Sequence, residues 1–380
     1  MTLRVLVVSH SCVVDVNQEP FAALKHSGAN VRVIAPRSLR TDVRGRIDFK
    51  PLAGFESNVI PLPIVLGGYG RLAGGQRGIH VILYRHFRTA AEQFEPQVIY
   101  AEEEPFSFAA LQVARIAHQL QAPFVFHANQ NIEKSLPPPF PAIRAAVFGH
   151  ATGATVRNRA AAEVLRAHGY KGPIEDFPHA VEPSRYATGE RMTDLETPVI
   201  GFVGRLVPEK GVEDLINAMA NARARGGRGS LLIVGGGPDA AVLREFAARA
   251  RVPVHFTGAV AHDEVPSLFH SMDMVAIPSH TTSGWKEQFG RIVIEANAAG
   301  VPVIVSSSGE LPQTVEATGG GVVVREGDVD ALSSEIMRLS DDENARRVLG
   351  EAGRQGVAER FTPGAVSARL LEFFESLVSR

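Results

Sequence analysis

Two glutamates, Glu287 and Glu295, lie in the stretch WKEQFGRIVIEANAAGVPV, which runs from residue 285 to residue 303. Residues 288–294 separate them, and a Phe-Gly-Arg turn at 289–291 stands directly before a helix-like run. The start of a helix offers unpaired backbone N–H groups and the positive end of a dipole, and both suit a diphosphate. We therefore expect a nucleotide sugar here, with Glu287 facing the sugar and Glu295 accepting hydrogen bonds from ribose hydroxyls.

Two cations flank another loop of the same half of the chain. Arg205 follows the apolar strand that ends at Gly204, and Lys210 precedes a helix-like run. Such a pair can neutralise a diphosphate leaving group. The turn after Gly258 could supply backbone contacts to a nucleobase. The GGGP turn at 235–238 lacks the spacing of a dinucleotide fingerprint and so gives little support to a nicotinamide cofactor.

Polar side chains also follow three strands of the first half. The loop after the first strand carries Ser9, His10 and Asn17. Because open α/β sheets bind ligands at the carboxyl ends of their strands, these residues are candidates to contact an acceptor or a sugar. The alternative is that they only satisfy the backbone of their own loop.

The acids at 102–104 follow the strand QVIYA, so Glu103 could accept hydrogen bonds from acceptor hydroxyls, although acidic runs more often serve solubility. After the strand FVF come His127, Asn129 and two further amides. This polar concentration at the end of a strand predicts that His127 is a site residue and that Asn129 belongs to the acceptor site.

The elements that must position these residues alternate between strand and helix. Continuous apolar runs such as LRVLVV at 3–8 are typical of buried parallel strands. A helix is expected over 80–94 and another near the end of the chain, and the glycine-rich stretch 66–78 is interpreted as a mobile loop. The pattern predicts an α/β fold with two doubly wound parallel sheets that face one cleft.

A chain of 380 residues is too long for one ordinary core. We divide it into an acceptor-binding domain (1–181), a linker (182–198), a nucleotide-sugar-binding domain (199–362) and a terminal helix (363–380). The linker lacks apolar periodicity and is bounded by prolines.

Composition excludes several classes of protein. The 39 basic and 41 acidic residues give a formal charge of −2, which does not suit nucleic-acid binding. A single cysteine, Cys12, excludes a disulfide framework and a cysteine-rich zinc site. No apolar run reaches ~18 residues, so a cytoplasmic location is expected. The basic segment 37–50 is either solvated surface or a contact with an anionic acceptor or membrane, which would place the protein peripherally at the inner membrane face.

Five segments resemble a known family when they are taken in order: GFVGRLVPEKGVEDLINAM, LLIVGGGP, FTGAV, EQFGRIVIEANAAGVPVI and SGELPQTV. They look like the C-terminal half of retaining GT-B-fold glycosyltransferases with a Glu-x7-Glu motif, the large family 4-like group that includes sucrose synthase and many bacterial mannosyl- and glucosyltransferases. The resemblance is strong over 198–362 and looser over 1–180. The loop after the first strand lacks the Gly-Gly pair that family members often carry.

The resemblance implies roles for individual residues. Arg205 and Lys210 would bind the donor diphosphate, Glu287 the donor sugar, Glu295 the ribose and His127 the transferred sugar. The donor site would also include Gln288 and the backbone of Phe289, Gly290 and Arg291. The final helix would cross back to the first domain.

The implied reaction is transfer of a hexose from a nucleotide sugar, with UDP- and GDP-sugars expected, to an acceptor hydroxyl with retention at the anomeric carbon. Neither a metal nor a further cofactor is expected. The acceptor would be a carbohydrate, a lipid-linked molecule or a small molecule, and the oligomeric state stays open. The alternatives are a phosphorylase of the same fold and a non-catalytic nucleotide-sugar-binding protein.

Overall fold

The computed structural model describes residues 2–41, 45–66, 79–191, 194–261 and 263–379. It divides into two units, the first comprising Met1–Pro178 with Pro363–Arg380 and the second His179–Thr362. Most of the glycine-rich stretch, residues 67–78, lies outside the described residues, as does Arg44 of the basic segment.

The first unit is built on a seven-stranded sheet in which every neighbouring pair is parallel. Two antiparallel hairpins, β3–β4 and β6–β7, accompany it. The strands are β1 (Arg4–Ser9), β2 (Asn30–Pro36), β3 (Ser38–Thr41), β4 (Gly45–Asp48), β5 (Val59–Leu62), β6 (Ile64–Leu66), β7 (Ile82–Tyr84), β8 (Val98–Glu102), β9 (Phe124–Ala128), β10 (Gly153–Val156) and β11 (Ile174–Asp176). The order in the large sheet is β11-β10-β9-β8-β1-β2-β5.

The helices of this unit connect its parallel strands and begin at polar caps in two cases. Ser107 accepts a hydrogen bond from the Ala110 N–H, and Asn158 accepts one from the Ala161 N–H. Such caps satisfy donors that the first turn of a helix leaves unpaired. The helices are α1 (Glu19–His26), α2 (Phe87–Phe94), α3 (Phe108–Gln119), α4 (Phe140–His150) and α5 (Arg159–Ala167).

The order of the first sheet reverses at β1, which lies between β8 and β2. Ser9, the last residue of β1, is in register with Glu102, the last residue of β8. The loops that leave these two strands therefore start side by side. In doubly wound sheets this point of reversal is where ligands bind.

The second unit has a six-stranded parallel sheet with the order β14-β13-β12-β15-β16-β17. Neighbouring residues of β12 point to opposite faces, so Val199 joins one apolar core and Ile200 the other. The elements are β12 (Val199–Val203), α6 (Val212–Ala224), β13 (Ser230–Val234), α7 (Ala240–Ala250), β14 (Val254–Gly258), α8 (Val265–Leu268), β15 (Met274–Ile277), α9 (Arg291–Ala298), β16 (Val303–Ser306), α10 (Leu311–Thr318), β17 (Gly321–Val324), α11 (Val329–Asp341) and α12 (Glu343–Arg360).

The last helix, α13 (Pro363–Val378), belongs to the first unit although it follows the second in sequence. It packs against α1, and the ring of its buried Phe374 lies 5.6 Å from the ring of Tyr100 in β8. Within the described ranges, no helix combines the length and the apolar character needed to span a membrane.

The expectation of one helix over residues 80–94 is wrong, because β7 occupies Ile82–Tyr84 and α2 begins only at Phe87. The backbone N–H and C=O of Tyr84 both bond to the side-chain amide of Gln112 in α3, while β7 pairs with β6. These tertiary hydrogen bonds outweigh the local helical pattern.

Candidate functional site

A cavity of about 230 Å³ opens in the second unit at the carboxyl ends of β12 and β15 and at the start of α9. Its walls combine apolar strand residues with a cation, a carboxylate and the backbone of one helix start. The lining residues are His179, Phe202, Val203, Lys210, Ile277, Glu287, Gln288, Phe289, Gly290, Arg291 and Ile292. The structure thus brings together six residues that the sequence predicted for the donor site: Lys210, Glu287, Gln288, Phe289, Gly290 and Arg291.

Lys210 and Glu287 form an ion pair at this cavity. Glu287 is only 7% exposed, and the carboxylate oxygen that contacts Lys210 also accepts a hydrogen bond from the Ser279 hydroxyl at 2.8 Å. The Lys210 ammonium lies 4.8 Å from the centre of the Trp285 ring, within the range of a cation–π contact. A carboxylate, a hydroxyl and an aromatic face therefore hold the ammonium at one place on the cavity wall.

The loop that carries Glu287 is tied to the strands and helices around it. Ser306 at the end of β16 donates its hydroxyl hydrogen to the Ser279 carbonyl at 2.5 Å. The Glu310 N–H bonds to the Glu287 carbonyl at 3.2 Å, and the Thr314 hydroxyl bonds to the Phe289 carbonyl at 2.6 Å. These contacts position the carboxylate through its backbone as well as its side chain.

The helix α9 begins at the cavity as the sequence predicted. Gly290 is its N-cap residue with φ of 73°, and no side chain caps the first turn. A positive φ is the region that favours glycine. The first N–H groups of the helix and its dipole favour a negatively charged ligand at this end.

Glu295 lies one turn further along α9 and is 2% exposed. It forms an ion pair with the Arg291 Nε at 2.8 Å, and the Tyr186 hydroxyl contributes a further hydrogen bond. Burial raises the pKa of Glu295, while Arg291 and Tyr186 oppose that rise. The Glu295 side chain does not line the cavity described above, and its predicted contact with ribose stays a prediction.

Three further residues of the expected donor site lie outside the cavity lining. Arg205 is exposed, and its side chain makes no ion pair with any residue that the structure describes. Gly204 donates its N–H to the Val234 carbonyl, and the Gly258 carbonyl accepts from the Gly235 N–H. The glycine turn after β13 thus joins the loop after β12 to the end of β14.

In the first unit, the residues expected to contact an acceptor have hydrogen-bond partners within the protein. Ser9 is buried and donates to Glu102 at 2.6 Å, and the Asn17 amide donates to the Ser11 carbonyl at 2.8 Å. The Asn17 contact is of the kind that the alternative expects, in which these side chains satisfy their own loop, whereas Ser9 bonds to the neighbouring strand β8.

Glu103 is buried as well and holds His10. It accepts from the His10 backbone N–H at 3.0 Å, pairs with the His10 Nδ1 at 2.8 Å and accepts from the Tyr84 hydroxyl at 3.1 Å. Burial lowers the pKa of His10, but the charge and hydrogen bond of Glu103 together with the charges of Glu102 and Glu104 outweigh it, so the pKa is raised. The His10 side chain remains 23% exposed and is the accessible member of this pair.

His127 is fully buried at the end of β9. Its Nδ1 lies 2.8 Å from the Thr155 hydroxyl and its Nε2 lies 3.1 Å from the Asn129 side-chain oxygen. The Arg157 Nε donates to the same oxygen at 3.0 Å. Burial, followed by the charge of Arg157, lowers the pKa of His127 well below its usual value.

Four residues that contact predicted site residues were not predicted from the sequence. They are Arg157 beside Asn129, Tyr186 beside Glu295, Ser279 beside Glu287 and Trp285 beside Lys210. The only tryptophan of the chain, two residues before Glu287, was the one available signal. Among the described residues, no group of three or more His, Cys, Asp or Glu side chains is arranged to hold a metal ion.

Two doubly wound parallel-sheet units define the GT-B class of fold, and comparison with solved structures confirms it. The sucrose-phosphate synthase of Thermosynechococcus elongatus aligns with a TM-score of 0.70 at 19% identity, over 99% of both chains. Anabaena Alr3699/HepE in complex with UDP aligns with a TM-score of 0.72 at 18% identity, over 98% of this chain and all of the other. At such identities the likeness concerns the fold alone.

Residues 190–356 match the family model described as Glycosyl transferases group 1. A GDP-mannose-dependent alpha-(1-6)-phosphatidylinositol monomannoside mannosyltransferase of Mycobacterium tuberculosis is 37% identical over 193 residues, 50% of this chain and 49% of that protein. A 2-deoxystreptamine glucosyltransferase of Streptomyces kanamyceticus is 29% identical over 272 residues, 67% of this chain and 68% of the other. The chain thus spans about half the length of the first of these relatives.

Proposed function

We propose that this protein is a glycosyltransferase that moves a hexose from a nucleotide sugar to an acceptor hydroxyl, with retention and without a metal ion. The observation that carries the proposal is the Lys210–Glu287 pair on the wall of the cavity at the start of α9. It places a cation, a carboxylate and a helix N-terminus within one small site of the second unit.

Each of the three groups has a separate task in this reaction. The Lys210 ammonium and the first N–H groups of α9 stabilise negative charge that develops on the departing diphosphate. Arg205 is the second cation, since its exposed side chain is available for a phosphate. Glu287, which Ser279 orients, accepts hydrogen bonds from hydroxyls of the donor sugar. Because Lys210 already contacts Glu287, the ammonium can bridge the carboxylate and the diphosphate.

The relatives support the donor class. One is named for GDP-mannose, and one structure of similar fold is a complex with UDP. We infer a UDP- or GDP-hexose as donor and a carbohydrate, lipid-linked or small-molecule hydroxyl as acceptor. Phosphatidylinositol monomannoside in one relative and 2-deoxystreptamine in another show that both lipid-linked and small acceptors occur among similar proteins.

Donor binding can be measured directly, because Trp285 is the only tryptophan of the chain and its ring faces Lys210. We expect its fluorescence to change on titration with UDP or GDP, equally with and without EDTA. The activity assay then pairs the preferred UDP- or GDP-hexose with a panel of acceptors, and NMR of the product reports the anomeric configuration.

Lys210→Met is expected to lower turnover by about 100-fold while the protein stays folded, because the negative charge that develops on the departing diphosphate loses the stabilising Lys210 ammonium. The exposed Lys171→Met in the first unit is the matched control. Near-normal turnover in Lys210→Met would contradict the proposal. Phosphate-dependent release of a sugar 1-phosphate without any nucleotide would instead identify a phosphorylase.

A further inference from the structure

We propose that Arg157 is a positioning residue that fixes the direction of the hydrogen bonds between His127 and Asn129. The imidazole is thereby held neutral with its hydrogen on Nε2, and the Asn129 side chain is left able to act towards a ligand only as a donor. This inference rests on the proposed function, because it specifies what the end of β9 offers to a sugar.

The Arg157 guanidinium is held at three points. Its Nε bonds to the Asn129 side-chain oxygen at 3.0 Å, one terminal nitrogen bonds to the Phe177 carbonyl at 2.9 Å, and the other pairs with Glu102 at 3.2 Å. The side chain is 8% exposed, and its centre lies 5.5 Å from the centre of the Phe177 ring. A planar group with these partners has one orientation.

Arginine can only donate, and this determines the rest of the network. The atom of Asn129 that faces the Arg157 Nε must be an acceptor, so it is the oxygen of the amide. The same oxygen lies 3.1 Å from the His127 Nε2. Because an amide oxygen can only accept, a hydrogen bond at this distance requires the Nε2 to donate, and the Nε2 therefore carries a hydrogen.

The other side of the ring follows from burial and charge. His127 is fully buried and lies near the positive charge of Arg157, and both conditions favour the neutral imidazole. Its Nδ1 then carries a lone pair and accepts the Thr155 hydroxyl hydrogen at 2.8 Å. The Thr155 oxygen in turn accepts from the Tyr100 hydroxyl at 2.9 Å. The donors therefore run in one direction, from Tyr100 through Thr155 and His127 to Asn129.

Asn129 is the member of this network at the carboxyl edge of the sheet, one residue beyond β9. Its backbone N–H is fixed by Glu104 at 2.8 Å, and its side-chain oxygen already accepts two hydrogen bonds. Any further contact of the side chain must come from the NH₂ group. A ligand atom that accepts from this NH₂ group is therefore an oxygen, such as that of a sugar hydroxyl. The buried His127 orients the Asn129 side chain and exchanges no proton with the ligand.

The first test is NMR spectroscopy of the folded protein labelled with ¹⁵N-histidine, with the His127 signals assigned by means of His127→Gln. Long-range proton–nitrogen correlations should show the Nε2–H tautomer, unchanged between pH 5.5 and pH 8.5. Arg157→Lys keeps the positive charge but lacks the planar guanidinium that donates to three partners. We therefore expect a mixture of His127 tautomers in this variant. The exposed Arg159→Met is the control and should leave the wild-type pattern.

An Nδ1–H tautomer or a titrating His127 in the wild-type protein would overturn the inference, whatever the variants do. The second test is Asn129→Asp, which removes the NH₂ donor. We expect at least a tenfold rise in KM for the donor or the acceptor, and unchanged KM values would also overturn it. If the tautomer is fixed as expected but no sugar is transferred by the wild-type protein, the proposed function fails and the role of Arg157 towards His127 stands.

Discussion

Glu104 is the clearest case of a single carboxyl group whose ionisation opposes folding. One of its oxygens accepts from the Asn129 N–H at 2.8 Å, while the other is buried and has no hydrogen-bond partner among the described residues. Burial raises the pKa of Glu104 to about 7, although the backbone N–H groups of Asn129 and Gln130 act in the opposite direction. The ordinary pKa of the group is 4.5.

This shift predicts how the free energy of unfolding depends on pH. The pKa of Glu104 is higher in the folded protein than in the unfolded one. Its stabilising contribution to the free energy of unfolding is therefore fully present below pH 4.5 and is lost as the pH rises through about 7. Glu104→Gln keeps an acceptor for Asn129 but cannot ionise. Urea denaturation of the two proteins should therefore show the variant gaining stability relative to wild type from pH 5 to pH 8.

The exposed Glu163→Gln is the control for this measurement and should follow the wild-type curve. Curves for Glu104→Gln and wild type that stay parallel over the whole range would contradict the assignment.

The sequence indicated residues that line the cavity where a motif surrounds them, and it missed residues whose contacts span the chain. Lys210 and Glu287 each stand beside a glycine turn and a helix start, so type and spacing indicated both. Arg157 lies in an unremarkable run, and its partners Asn129 and Glu102 are 28 and 55 residues away. No local pattern records hydrogen bonds of that separation.

At the scale of elements, the loop between β15 and α9 depends on a close approach by the loop after β16. Gly309 has φ of 55°, and a Cβ at this position would collide with the backbone carbonyl of Glu287. The loop therefore cannot keep Glu287 in place if residue 309 gains a side chain. We predict that Gly309→Ala displaces the Glu287 loop and reduces nucleotide binding measured by Trp285 fluorescence at least tenfold.

Gly226 provides the matched control, because it lies in the same unit with φ of 89° and a Cβ there would have nothing within 4 Å. Gly226→Ala should lose about 1 kcal/mol of stability through its backbone conformation and leave nucleotide binding unchanged. Equal binding by the two variants would show that the collision at Gly309 does not matter for the site.

The elements were predictable where strands are buried on both faces, since continuous apolar runs such as that of β1 leave little choice. They were not predictable where tertiary hydrogen bonds compete with a helical pattern, as at β7. His86 adopts φ of 60° directly before α2, a conformation that no feature of its neighbours indicates. The pairing of β7 with β6 and the contacts of Tyr84 with Gln112 and Glu103 impose the break.

At the scale of the whole molecule, the doubly wound architecture follows from alternating strands and helices, but the position of the last helix does not. The amphipathic pattern of α13 shows only that one face is buried. Its partners lie in α1 and β8, hundreds of residues earlier in the chain. The expectation that the helix crosses back came from family resemblance rather than from periodicity.

Because α13 belongs to the first unit, a destabilising substitution in this helix should lower the stability of elements that lie far from it in sequence. Phe374→Ala removes a fully buried ring that contacts Tyr100 and should destabilise the first unit by about 3–5 kcal/mol. Hydrogen exchange measured by mass spectrometry should then show lost protection in peptides of β1, β8 and α1. Peptides of α6 and α9 should keep theirs, and Trp285 fluorescence should still report UDP or GDP binding, because the second unit retains its own cores. Val378→Ala, at a position 38% exposed at the end of the same helix, should change neither set of peptides. Equal loss of protection in both units of Phe374→Ala would mean that they unfold together. The prediction that the second unit, which ends at Thr362, keeps its stability when the first unit is destabilised would then be wrong.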